Sequence, residues 1–151
     1  MLFKSTIIFL ALFILGSMGV YFLLDSSYEK SIEAKYYYSI NDYERAYELS
    51  KVAFEENSYN KMASTIMTQS QVAIKYTTYI NSAREYISQI SKMGQEDTIS
   101  PQNRAKIGMI CAIMIDSYPK LTPTKLTDQI LIDDAKEYYE KFLDLHENTT
   151  K

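Results

Sequence analysis

NKMASTIMTQSQVAIKYTTYINSAREYISQISKMG, Asn60 to Gly94, carries no proline, and its first glycine is its last residue. Ile66, Ala73, Ile80 and Ile87 recur every seven residues, with Gln69, Tyr76, Ala83 and Ile90 as the second position of the same stripe. This spacing predicts one helix from about Asn60 to Met93 bearing a coiled-coil-like seam with a polar break at Gln69. Gly94 is placed to end it. At about 50 Å the helix is long for a chain of 151 residues. The seam is expected to pack on other helices of the same chain, and self-association into a homo-oligomer is the alternative use of it.

Downstream, Ser100-Pro101 supplies an N-cap followed by proline at the first helical position, opening a helix from about Pro101 to Ser117. Its stretch IGMICAIMI, Ile107 to Ile115, is too short to cross a bilayer and reads as core. Pro119 and Pro123 bound a connector. A last helix is expected from about Thr124 to His146, with Leu126, Ile130, Ala135, Tyr138, Phe142 and Leu145 on its apolar side and residues 147–151 as a flexible tail. Upstream, two helices are expected, about Tyr28 to Ile40 and Tyr43 to Glu56. Asn41 tolerates a left-handed turn and Asp42 caps the helix that follows. No segment beyond residue 25 alternates with the period of a strand.

Charge divides the chain sharply. All nineteen acidic residues and fifteen of the sixteen basic ones lie from Asp25 onward, a formal charge of −4 for that part. Before it, Thr6 to Leu24 is an uncharged run of nineteen residues, long enough as a helix to reach about 28 Å. Residues 1–24 therefore read as a membrane anchor, with Tyr21 and Phe22 suited to the interface. A cleaved signal with Ser17-Met18-Gly19 as its cleavage site is the alternative, leaving a secreted soluble helical binding protein. The apolar turn that continues past Gly19 favours retention. Lys4 precedes the run and acidic residues follow it, which directs the N-terminus to the cytoplasm and residues 25–146 outward, into the periplasm in a bacterium.

Composition removes most chemistry. With one Cys and one His, the chain has no internal disulfide and no Cys- or His-pair metal motif. Four glycines leave no phosphate cradle, and the acidic balance leaves no footprint for nucleic acid. Cys111 lies in an apolar run and reads as a buried small residue, and His146 stands alone near the tail. Asp133, Asp134 and Glu137 sit near a helix start, where carboxylates are ordinarily solvated. No catalytic group, cofactor or metal is expected. An apolar ligand held between helices is a further reading of so apolar an interior. The fourteen tyrosines are the unusual feature. Tyr36, Tyr37, Tyr43 and Tyr47 are the candidate partner-binding residues, since tyrosine offers rigid contact area with a polar tip.

The pair of helices over about residues 28–60 resembles a tetratricopeptide repeat, a helix-turn-helix unit of about 34 residues. NDYERAYELSKVAFEEN, Asn41 to Asn57, is similar to that family's turn and second helix. Asn41 stands at the usual turn glycine. Ala34 and Tyr38 on one helix, and Ala46, Ala53 and Phe54 on the other, match the small and large packing positions. Lys30 and Glu33 depart from apolar positions of the pattern, and Ser58 replaces its closing proline. The resemblance implies a scaffold for protein or peptide binding. The whole reads as all-α: an N-terminal transmembrane helix, then a helical-hairpin, tetratricopeptide-like bundle of about five helices acting as a protein-interaction module outside the cytoplasm.

Overall fold

The computed structural model describes residues 2–24, 26–94 and 99–150. Among them the chain is all-helical, with no strand: α1 (Leu2–Leu24), α2 (Ser26–Ser39), α3 (Tyr43–Glu56), α4 (Lys61–Met93), α5 (Pro101–Ser117), a short 3-10 turn (Tyr118–Lys120) and α6 (Gln129–Thr150). They fall into two compact units, residues 1–70 and 71–151.

In the first unit, the α2–α3 turn is made by the two residues whose chemistry suits it. Asn41 takes a left-handed conformation at φ 64°, which asparagine enters at little cost. Asp42 accepts a hydrogen bond from the Arg45 amide and caps α3. Small side chains bring the helices together: Ser27, Ser31 and Ala34 on α2, and Ala46, Ser50 and Ala53 on α3, are all buried. Ala34, Ala46 and Ile66 form the apolar centre, flanked by Tyr37, Tyr38, Leu49 and Met62.

The serines and Asn60 need internal partners because no water reaches them. The Asn60 side-chain nitrogen lies 3.2 Å from the Ser27 carbonyl, 2.8 Å from Ser27 Oγ and 2.8 Å from Ser31 Oγ, and donates to them. Its Oδ1 accepts from the Ala63 amide at 3.1 Å. One asparagine thus starts α4 and ties it to α2. Ser27 Oγ donates in turn to the Ala53 carbonyl of α3 at 2.8 Å. Lys30, off-pattern in the resemblance, is paired 2.6 Å from Glu56, and that hydrogen bond holds the Glu56 carboxyl below its ordinary value of 4.5.

α1 is apolar all round, and its described large side chains between Ile7 and Leu15 are exposed on every face. Among the described residues no helix is long and apolar enough to cross a membrane. The described side chains of α1 are those of residues 6–17 and Gly19. The side chains of Lys4, Met18, Tyr21 and Phe22, invoked for orientation, cleavage and interface, lie outside the described residues, as does Lys151 of the tail.

The second unit is built on the rest of α4 with α5 and α6. Ile80, Ala83, Ile107, Cys111, Met114, Ala135 and Phe142 are buried together. Ser100 caps α5 by accepting from the Asn103 amide at 3.1 Å, with Pro101 in its first turn. The apolar run of α5 does not go wholly inward: Ile107, Ile110, Cys111 and Met114 are buried, while Met109 and Ile113 are exposed. A helix buries one stripe, whatever the composition of the other.

Where α6 starts and ends differs from expectation. Thr124 and Thr127 use their hydroxyls on the local backbone: Thr127 Oγ1 accepts from the Thr124 amide at 2.8 Å, and Thr124 Oγ1 accepts from the Leu126 amide at 3.2 Å. This competes with helix formation, so the first turn waits for Asp128, whose carboxylate accepts from the Ile130 amide at 3.0 Å. Leu126 is left outside the helix, and both it and Ile130, expected on the apolar side, are exposed. At the other end the helix runs past His146 to Thr150.

Candidate functional site

The four tyrosines expected to bind a partner are separated by the hairpin. Tyr43 is only 5% exposed. Its ring meets Tyr38 edge-on at 5.3 Å and its hydroxyl donates to Asn41 Oδ1 at 2.8 Å. It is a packing residue, and its place among the partner-binding candidates is corrected. Tyr37 is half-buried beneath the Arg45 guanidinium, 4.3 Å from its ring centre, and Tyr47 is half-buried on α3. Tyr36 points outward, edge-on to Tyr37 at 5.5 Å.

Tyr36 belongs to a stripe that periodicity had not singled out. Ile32, Tyr36 and Ile40 follow one another at four-residue steps and are 63%, 59% and 51% exposed. At about 100° per residue, Ile32 stands about 160° round the helix from buried Ala34. The hairpin thus uses one face of α2 and leaves an apolar ridge on the opposite one. The outer face of α3 differs: Glu44, Glu48, Lys51 and Glu55 are exposed there, as an ordinary solvated helix requires. The spacing signal for the α2 ridge was present in the sequence, but α2 has small and apolar residues on both faces, so pattern alone did not say which was inside.

Of the hairpin positions, Ala34, Ala46 and Ala53 are fully buried, and Tyr38 and Phe54 are half-buried. Along α4, Ile66 is buried in the first unit; Ala73, Tyr76, Ile80, Ala83 and Ile90 are buried in the second, and Ile87 packs at its edge. The polar break in the buried stripe is Ser70, fully buried with no partner for its hydroxyl among the described residues, whereas Gln69 is half-buried.

Chemistry elsewhere is subdued. Cys111 is fully buried, and burial pushes its thiol up, which disfavours the thiolate a nucleophile needs. Asp133 accepts from the Gln129 amide group at 2.9 Å, and Glu137 pairs with Lys141 on the α6 surface. Among the described residues no cluster of His, Cys, Asp and Glu is arranged to hold a metal. Tyr79, Tyr118 and Tyr139 form a chain of rings, with Tyr118 stacked 4.3 Å from Tyr139 and tilted at 5.9 Å against Tyr79. Burial, with Tyr118 and Tyr139 adding to it, pushes the Tyr79 hydroxyl up to about 12. Against known proteins the chain stands apart: no family, no curated protein and no solved structure matches it.

Proposed function

We propose that this protein is a single-pass, membrane-anchored helical module that binds a helix of another membrane protein, as an accessory or scaffold subunit, with residues 25–146 outside the cytoplasm. The apolar surface left bare on α1 and α2 carries this reading. From Ile7 to Leu15 the α1 side chains face outward on all sides, which suits lipid and is costly in water. The uncharged run continues to Leu24. On α2, Ile32 and Tyr36, continued by Ile40 just past its end, make the four-residue ridge by which one helix packs into the groove of another. The hairpin behind them, tetratricopeptide-like in its small-residue contact, gives that ridge a stiff support.

A photo-crosslinking side chain at position 36 in intact cells is the direct test, with position 48 on the charged face of α3 as the control. One integral membrane protein attached from position 36 and absent from position 48 is expected; unlinked monomer alone at position 36 refutes the interaction. Protease digestion of intact cells against opened membranes reads the side and the anchoring. A mature N-terminus near Val20 in the soluble fraction would replace the anchored form by the secreted one.

A further inference from the structure

α5 has two apolar faces, and the second unit uses one of them. Ile107, Ile110, Cys111 and Met114 are buried in the core. On the other side of the helix stand Met109 and Ile113, 67% and 49% exposed. Ala105 and Ala112 share this outward face and are exposed with them, and Gly108 lies at its edge, where a Cβ would meet nothing in the chain. The small residues keep one flank of the face low, so a second helix backbone can approach closely.

The charges that bracket this face say what fits it. Lys106 lies three residues before Met109, and Asp116 three residues after Ile113. At about 100° per residue all four fall within about 80° of arc, and both charged side chains are exposed. Along the helix the face therefore reads cation, apolar, apolar, anion. Laid antiparallel on a copy of itself about a two-fold axis, it brings Lys106 of each copy level with Asp116 of the other, and Met109 of each level with Ile113 of the other. Laid parallel, it sets Lys106 against Lys106 and Asp116 against Asp116, a repulsion at both ends. The signs also run against the dipole of the helix itself. α5 has no acidic residue in its first turn and no basic one in its last, where Asp116 sits. An antiparallel neighbour supplies a cation at that end. Asp116 Oδ2 accepts from Lys120 at 2.7 Å on the open surface; so exposed a pair contributes little, and the carboxylate has a second oxygen to offer.

We propose that two copies of this chain associate antiparallel through the outer face of α5, with Met109 and Ile113 packed across the two-fold axis between two ion pairs of Lys106 with Asp116. One helix laid on one helix buries less than a permanent dimer needs, so the association is weak and reversible, and salt weakens it further. It uses neither the α4 seam nor the α2 ridge and stands apart from the interaction reading.

Energy transfer between donor-labelled and acceptor-labelled full chain in lipid vesicles, measured over a range of protein densities at low salt, tests it. The double variant Met109→Glu with Ile113→Glu, both at exposed positions, sets the level due to chance proximity and to any contact through α1. Wild type is expected above that level. Lys106→Asp makes both ends of the face acidic, and Asp116→Lys makes both basic. Each alone turns two attractive pairs into two repulsive ones and should weaken association by about tenfold or more. Mixed with each other, these two variants should associate as wild type does, since every pair across the axis again joins a lysine to an aspartate; the recovery also shows that both fold. Under mild oxidation Ala112→Cys, beside the axis, should give a disulfide-linked dimer, and Gln102→Cys should not, because antiparallel pairing sets the two copies of position 102 about 27 Å apart along the helices. Wild-type transfer no higher than in the double variant, an undiminished signal in either charge variant, a mixture that does not recover, or a dimer linked through position 102 overturns the proposal.

Discussion

Replacing Asn60 by alanine removes a side chain whose hydrogen bonds join the start of α4 to α2. Asn60 is fully buried, so each of its lost bonds is lost without water to take its place. The Ala63 amide, which it accepts at 3.1 Å, becomes an orphan at the helix start, a loss of about 1 kcal/mol on the scale of N-cap removals. The contacts from its nitrogen to Ser27 and Ser31 contribute about another 1 kcal/mol net. The space left beside three helices adds about 1 kcal/mol more if the site does not collapse. A total of about 3 kcal/mol corresponds to about a hundredfold fall in amide protection. Hydrogen exchange of the full chain in nanodiscs, read on the amides of α2 and α3, measures it. Asn60→Asp provides the control, since it keeps the shape and the cap but presents a buried carboxylate to the Ser27 carbonyl oxygen. That carboxyl is expected to titrate above the ordinary carboxylate range, because the fold prefers it uncharged. Its stability is then closest to wild type in acid and is lost as pH rises through the folded-state midpoint. Protection that falls less than tenfold in Asn60→Ala, or an Asn60→Asp variant indifferent to pH, would refute the view that this buried amide holds the hairpin to α4.

Two further outcomes follow from groups whose surroundings are fixed by the fold. The Glu56 carboxylate, held low by its hydrogen bond from Lys30, should show an NMR titration midpoint below 4.5 that returns to the ordinary value in Lys30→Met. The pair favours the fold above that ordinary value, and its contribution disappears as pH falls through the lowered midpoint; a midpoint unmoved by the substitution counts against it. Cys111, buried and raised, should resist thiol reagents in the folded chain and react at once in denaturant. Complete labelling of the native protein within seconds would contradict its position in the core.

Local chemistry was legible wherever a residue acts on its own backbone. Asn41 in a left-handed turn, Asp42 and Ser100 as caps and Pro101 in a first turn need only their neighbours in sequence. The same logic misplaced the start of α6, because Thr124, Thr127 and Asp128 each accept from a different nearby amide and only the bond to Asp128 lies at the start of the helix that forms. Tyr43 shows the complementary difficulty. Tyrosine suits an interface and a core equally well, and only the position of Tyr38 across the turn put its ring inside.

By itself the sequence determined the helical class, the unbroken run of α4, and the division at residue 24 between a nearly uncharged segment and a charged one. These depend on composition, on breakers and on periods along one strand of chain. The tertiary structure decided which face of each helix was used. Ile32, Tyr36 and Ile40 are as apolar as a core stripe, and Ser27, Ser31 and Asn60 as polar as a surface, yet the first are bare and the second buried. The reason is steric and electrostatic together: small polar side chains allow close helix approach and satisfy one another there, while the bulky ridge is turned outward.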